Sequence, residues 1–463
     1  MEKILCQAFF VCLTRLLKIC YTAYMDKMPT VVAISSPLGT GGIAVVRISG
    51  FKTLRVLDKL IISKPCPMEW ETRRLYNVRM RTHGFEESGM CAYFKCPHSY
   101  TGEDMAEIYV HGSMAIAEGI VRAAIAAGAI HAGRGEFTMR AYLNGKMDLT
   151  QAEGVSDLIN SETDAQIRAA QSLVSGDLFK EISDIQDNIR KILARIEASI
   201  DYPEENLEEV TSGETKNVIL ELKSRLRKLI STFNTGYLIR AGVKVAIIGK
   251  PNAGKSTLFN ALLGYDRAIV NERAGTTRDT IEDSYVYSGI KFTLIDTAGL
   301  REAADEIEAE GVRRSADAAQ KADLTVEVAD AATLKSQLSA NGGIKVLNKC
   351  DLLPKEKLRL RNKFDLLISA KTGQGINPLK NLIYKKTVTT EKIPAVMLTN
   401  TRQYSAALAA HKALEQAFTA LDTTLDCVSI ELLSAYKVLG QITGKVATDD
   451  VIKQIFEDFC VGK

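Results

Sequence analysis

"GKPNAGKS", Gly249 to Ser256, decides the fold. It is a G-x-x-x-x-G-K-[ST] loop that follows the apolar run "VKVAIIG" and precedes "TLFNALLG", which reads as a helix. Strand, loop and helix in that order are the context in which such a loop cradles phosphates. Its backbone N–H groups and the helix N-terminus favour phosphate oxygens, the Lys255 ammonium neutralises the terminal phosphates, and the Ser256 hydroxyl suits Mg²⁺. Asn252, Ala253, Gly254 and Thr257 complete the nucleotide contacts expected of the loop.

Beyond the loop, strand-like runs alternate with helical ones: "YVYSGIKFTLIDTAG", "DLTVEVAD", "IKVLNKC" and "FDLLISA". The alternation predicts a mostly parallel α/β sheet over residues 241–384, a P-loop GTPase domain of Ras-like type. "DLTVEVAD" is a poor apolar strand and the weakest member of the expected sheet. In "NKCD", Asn348, Lys349 and Asp351 supply guanine recognition, because the Asp351 carboxylate accepts from a ring N–H and an exocyclic amino group that adenine lacks. "SAK", Ser369, Ala370 and Lys371, fits a loop whose backbone N–H meets the guanine oxygen. Following one P-loop in order, the two motifs specify GTP over ATP.

"AGTTRDT", Ala274 to Thr280, occupies the place of a switch loop in which a Thr hydroxyl completes the Mg²⁺ shell. Thr276 and Thr277 are equal candidates by chemistry. In "DTAGLRE", Asp296 acts on the metal from one ligand further out, Thr297 and Ala298 line the phosphate, and the Gly299 N–H contacts the γ phosphate. Leu300 stands where many GTPases carry the Gln that orients the attacking water. Glu302, Asp305, Glu306 and Glu308 offer carboxylates in its stead, and spacing does not choose among them.

The chain has 463 residues, enough for two to four domains. With 46% apolar and 25% charged residues it buries real cores, and a net charge of +3 leaves any RNA contact to a local patch. Nine cysteines without a C-x-x-C, and five histidines apart from them, suggest neither a disulfide framework nor a zinc site. Reduced thiols and a cytoplasmic location are expected. Residues 1–24 resemble a signal peptide, but Arg15 and Lys18 interrupt the apolar run, which is also too charged to span a bilayer. They are read as an extension outside the folded unit, and no stable membrane association is expected.

Residues 25–146 read as α+β, with strands at "TVVAISS", "GIAVVRISG", "MCAYFKC" and "MAEIYVHG" and a helix at "SMAIAEGIVRAAIAAGA". From 147 to 240 the period turns helical: Ile182, Ile185, Ile189, Ile192 and Ile196 form one stripe, and Ile219, Leu222, Leu226, Leu229 and Phe233 a second. Residues 385–463 are helical again, with Val428, Leu432, Tyr436 and Leu439 on one face. The fold class is therefore multidomain: an α+β N-terminal domain, an α-helical bundle domain, and an α/β P-loop domain inserted into the bundle.

Together with "AIVNERAGTTRDT" and "DTAGLREAADEIE", the stretches "GGIAVVRISG", "YTGEDMAEIYVHG", "GEFTMRAYLNGKMDLTQAEGVSDLI" and the final "ITGKVATDDVIKQIFEDFCVGK" resemble the tRNA wobble-uridine modification GTPases of the MnmE, or TrmE, family. The resemblance spans nearly all of the chain from Met25, and the N-terminal motifs and closing C-[IV]-G-K set it apart from other P-loop GTPases. It implies a homodimer that pairs with an MnmG-like flavoprotein in a heterotetramer and acts on tRNA. It also implies a formyl- or methylene-tetrahydrofolate donor bound through Arg47, Glu107, Lys146 and Lys463. By the same likeness K⁺ takes the place of an arginine finger, held by Asn252, Asn271, Arg273 and Thr276, with Glu272, Ala274 and Gly275 in the same nucleotide-contacting loop. Thr277 then ligates Mg²⁺ with Ser256, Glu308 positions the water, and Cys460 serves the modification chemistry.

Three departures from the family pattern touch its sites. Thr40 in "PLGTGG" stands where a basic residue is common, "AGRGEF" replaces Arg-Pro-Gly-Glu-Phe, and the segment from "DTAG" to "NKCD" is short. A ribosome-assembly GTPase would carry a KH-type loop or basic domain after the nucleotide domain, which the C-terminal helices do not supply. A signalling GTPase without an RNA role would leave the N-terminal motifs coincidental.

Overall fold

A computed structural model of the chain describes residues 28–201, 213–264, 282–296, 320–331, 343–353, 363–388, 394–457 and 459–463. Two compact units result, one of residues up to Glu153 with Ala447–Lys463, the other of Gly154–Val446.

The first unit is built on a six-stranded sheet of β1 (Val31–Ile34), β2 (Ile43–Ser49), β3 (Leu75–Arg81), β4 (Glu86–Phe94), β5 (Met105–His111) and β6 (Ile130–His131), in the order β3-β4-β5-β2-β1-β6. Each pair is antiparallel except β1 with β6. Alternation sends Val46, Ile48, Ile108, Val110, Val78 and Met80 to one face. There they bury against Val56 and Leu57 of α1 (Thr53–Leu60) and Ile120 and Ala124 of α2 (Met114–Ala126). The residues between them, Arg47, Glu107 and Tyr109, lie on the opposite face. Strand β3 is an addition to the expected strands: Val78 and Met80 alternate with Arg79 and Arg81 and enter the core, a period of two confined to four residues.

On that opposite side α3 (Glu136–Leu143) contributes Phe137 to a small cluster with Val31 and Ala33. An ion-pair network fastens this helix. Arg140, 2% exposed, donates to Glu103 at 2.9 Å and to Glu136 at 2.6 Å, and also to the Pro29 carbonyl. Phe456 from α13 (Asp449–Glu457) and Phe459 pack with Leu149 and Ala152 from the start of α4 (Leu149–Ile159). After Phe459 the chain passes the end of β1: Val461 bridges to Arg134, and Ser35 Oγ donates to the Gly462 carbonyl at 2.8 Å. Gly462 has φ +95, and a Cβ there would lie 2.0 Å from the Ile34 carbonyl oxygen, so this position excludes every side chain.

The second unit joins a helical bundle to an α/β sheet. Both isoleucine and leucine stripes are core: Ile182, Ile185, Ile189, Ile192 and Ile196 of α6 (Asp177–Asp201) meet Ile219, Leu222, Leu226 and Leu229 of α7 (Gly213–Ser231). Leu414 of α11 (Thr401–Ala420) and Val428, Leu432 and Leu439 of α12 (Leu425–Thr443) close the same core. The sheet runs β12-β11-β10-β7-β9-β8, from β7 (Val243–Ile248), β8 (Glu282–Tyr287), β9 (Ile290–Asp296), β10 (Leu324–Asp330), β11 (Ile344–Asn348) and β12 (Leu366–Leu367). All of its pairs are parallel except the β8–β9 hairpin. Strand β10, the "DLTVEVAD" run read as weak, lies between β7, paired over Leu324–Glu327, and β11, paired over Val326–Asp330. Its polar residues alternate with Val326 and Val328, which are buried, so a central position suits it despite low hydrophobicity. Helices α9 (Lys255–Leu263) and α10 (Ile376–Thr387) cover this sheet. Ala165 and Ala169 of α5 (Asp164–Val174) and Ile239 of α8 (Phe233–Ala241) enter the same core. A reciprocal capping box, Thr163 with Gln166, opens α5.

Candidate functional site

Two sites emerge, one in each unit. In the second, β7 ends against Gly249, whose φ is +151 and whose Cβ would lie 2.3 Å from the Val328 carbonyl oxygen. Only glycine lets the loop leave the sheet so close to β10. Asn252 (φ 63) and Gly254 (φ 88) then turn the chain into α9, so the positive end of that helix borders the loop. The Lys255 ammonium reaches back to the Gly249 and Lys250 carbonyls at 2.8 and 3.1 Å, which centres its charge over the loop. Ala253 is buried, Gly254, Lys255 and Ser256 are half-buried, and Asn252 and Thr257 are exposed. A half-buried hydroxyl one residue into the helix fits the ligand Mg²⁺ would need there.

The guanine motifs lock onto this loop. Asn348, 2% exposed, donates from Nδ2 to the Ala253 carbonyl at 3.0 Å while its Oδ1 accepts the Ala370 N–H at 3.0 Å. One side chain therefore ties the phosphate loop to "SAK". A Cβ at Gly254 would lie 2.3 Å from that Nδ2, so Gly254 serves the clamp as well as the turn. Lys349 donates to the Asn252 carbonyl at 2.9 Å and pairs with Asp330 at 2.8 Å, a partner from the end of β10 that the motifs do not reveal. Ser369 is buried and its Oγ accepts the Thr372 N–H, whereas Asp351 and Lys371 are exposed beside the clamp. Of the other candidates, Asn271, Glu272, Arg273, Ala274, Gly275, Thr276, Thr277, Thr297, Ala298, Gly299 and Glu308 lie outside the described residues. For Asp296 the structure describes the backbone, paired with Ile247.

The first unit's site lies on the open face of its sheet. Arg47 and Glu107 are directly opposite across β2 and β5. The Arg47 Nε and Nη2 donate to Glu107 Oε1 at 3.1 and 2.6 Å, and the Tyr109 hydroxyl donates to Oε2 at 2.7 Å. Beneath the guanidinium lie the Tyr100 and Phe137 rings, with centroids 5.4 and 5.6 Å away. Lys463 joins them from the C-terminal segment: burial, and then the Arg47 charge, hold its ammonium below the ordinary lysine range, partly offset by Glu107 and Cys460. Cys460 is exposed, and its carbonyl accepts the Gly135 N–H at 3.3 Å. Lys146 stands on the 97–102 loop that carries Tyr100, donating to the Pro97 carbonyl at 2.9 Å and packing beside Gly102. Two cations, one carboxylate and two aromatic rings suit a flat heteroaromatic group with an anionic tail. Tyr100, Tyr109 and Phe137 escaped sequence reasoning, although Tyr109 stands two residues from Glu107 on a strand and so shares its face.

Among the described residues no helix is long and apolar enough to cross a membrane, and no cluster of His, Cys, Asp and Glu is arranged to hold a metal ion.

Comparison with known proteins matches two family models: the GTP-binding protein TrmE N-terminus over residues 30–146 and the MnmE helical domain over residues 149–460. A tRNA modification GTPase MnmE from Clostridioides difficile is 37% identical over 460 residues, covering 94% of this chain and 99% of that protein. One of the same name from Acetivibrio thermocellus is 36% identical over 462 residues, covering 95% and 100%. Among solved structures, the G domain of the T. maritima FeoB iron transporter is 26% identical and covers 31% of this chain and 98% of its own, with a TM-score of 0.22.

Proposed function

Because the chain belongs to the MnmE family of tRNA modification GTPases, we propose that it works with an MnmG-like flavoprotein to install an aminomethyl or carboxymethylaminomethyl group at C5 of the wobble uridine of certain tRNAs. It is a GTP hydrolase. The observation that carries the finer reading is the Arg47, Glu107 and Lys463 cluster, which the chain assembles from two distant segments around a carboxylate already held at both oxygens.

In the nucleotide site, Lys255 and the first turn of α9 bind phosphate, Asp351 reads the guanine edge, and the Asn348 clamp keeps the two halves in register. Ser256 and Thr277 would hold Mg²⁺. K⁺ would be held by Asn252 with Asn271, Arg273 and Thr276, offsetting charge on the β and γ phosphates. In the other site, Arg47 and Lys463 attract an anionic ligand and Glu107 accepts from its amino or ring N–H groups. A formyl- or methylene-tetrahydrofolate has both features and supplies, when bound, the one-carbon unit. Lys146 is assigned to the same donor from its place against the 97–102 loop, and Cys460 to the modification chemistry. Homodimerisation completes the proposal.

The test is mass spectrometry of tRNA nucleosides from cells lacking the chain. Loss of the modified wobble uridine, restored by the wild-type gene, is expected, and unchanged uridines would sink the reading. A narrower expectation concerns Gly462→Ala: displacement of the C-terminal segment removes Lys463 from the cluster and weakens 5-formyltetrahydrofolate binding at least about tenfold, the worth of one charge-assisted contact. Isothermal titration checks it, and GTP turnover of the same variant should be unaltered.

A further inference from the structure

Tyr109 donates its hydroxyl to the Glu107 carboxylate at 2.7 Å. Alternation along β5 puts it on the same face as Glu107, and the register places it opposite Val45 and Met90 while Glu107 stands opposite Arg47 and Ala92. An ionised carboxylate offers about four acceptor positions. Arg47 takes two of them on Oε1 and the Tyr109 hydroxyl takes one on Oε2. One position on Oε2 is left. The terminal torsion of a glutamate is soft, so a carboxylate gripped at one oxygen still swings, whereas one gripped at both has its plane fixed.

We propose that Tyr109 is a positioning residue of the one-carbon-donor site: it fixes the Glu107 carboxylate so that a single acceptor direction on Oε2 meets the exocyclic amino group of a 2-amino-4-oxopyrimidine ring. The inference rests on the reading of this cluster as the donor site. Burial, and then the hydrogen bond to Glu107, push the Tyr109 hydroxyl up to about 12, so it remains a donor across the physiological range. The Arg47 guanidinium does not duplicate it: both of its bonds to Glu107 go to Oε1, with the Tyr100 and Phe137 rings beneath it.

The experiment measures binding of 5-formyltetrahydrofolate and of its 2-desamino analogue to the full-length wild type, Tyr109→Phe and Tyr109→Gln. The phenylalanine variant should bind the parent about tenfold more weakly, the loss of one hydrogen bond to a charged group. It should also lose most of the wild type's preference for the amino-bearing ligand. Glutamine keeps an N–H donor and should restore part of both. An equal loss for the two ligands would mean a merely structural tyrosine and would overturn the inference, as would unchanged affinity. If Tyr109→Phe fails to fold, the glutamine variant decides alone: a preference below the wild type's but well above parity is expected, and parity overturns the inference. A wild type that binds neither ligand removes the donor-site reading itself, and Tyr109's role with it.

Discussion

Glu308→Ala is expected to lower the turnover number for GTP by roughly 10² to 10⁴, the usual span for removing a group that orients or deprotonates the nucleophile. GTP affinity should stay near the wild-type value. Leu300 is an aliphatic side chain where a water-orienting amide commonly stands, and Glu302, Asp305, Glu306 and Glu308 offer carboxylates in its stead. Family likeness selects Glu308 among them. In the proposed site, Lys255, Asp351 and the clamp of Asn348 on Ala253 and Ala370 supply most of the phosphate and guanine contacts, and none of these residues is a carboxylate of that segment. Binding and turnover therefore separate. Single-turnover kinetics beside equilibrium nucleotide titration provide the check, and a parallel fall in both would make Glu308 structural. The same assay run with wild type in KCl and in NaCl tests the monovalent cation, with faster turnover expected in KCl.

Arg140→Ala should destabilise the first unit by about 3–5 kcal/mol, because it strands a buried carboxylate. Glu103 is 8% exposed and receives the Arg140 guanidinium at 2.9 Å, with Ser49 donating at 2.7 Å as its other grip. The same guanidinium pins Glu136 and the Pro29 carbonyl, so its loss loosens the entry to α3 and hence Phe137 under Arg47. The chain's single tryptophan makes this measurable. Trp70 is buried in the first unit, stacked on Tyr76 with centroids 4.6 Å apart, and reports that unit's unfolding alone. Urea titration followed by its fluorescence should show an early transition in the variant. Adding Glu103→Gln should recover part of the loss, since a neutral amide costs less to bury than an orphaned carboxylate. An unchanged midpoint would mean that the network contributes nothing to stability.

What could be read from sequence follows the reach of each signal. The phosphate loop and the isoleucine and leucine stripes are local, set by spacings within one or a few turns, and the structure has them as expected. Strand β3 is local too: Val78 and Met80 alternate with Arg79 and Arg81 in a period of two, but over only four residues. Pairing across strands leaves no such trace: nothing in "VVRISG" or "GEDMAEI" says that Arg47 and Glu107 face each other, because register is decided by the whole sheet. Asn348 shows a different limit. Its motif announces guanine recognition, yet its amide is spent on holding two loops together, a division of labour visible only once Ala253 and Ala370 are in place.

The return of Gly462 to β1 also has a consequence in time. Ser35 and the glycine that accepts its hydroxyl are 427 residues apart in sequence, so at about 5–20 residues per second a ribosome finishes that contact roughly 20 to 85 s after β1 emerges. Throughout that interval Ser35, just past the sheet's first strand, is without its C-terminal partner, while the second unit is synthesised. The phosphate loop and its clamp are therefore synthesised in full before Lys463 is added to the other site.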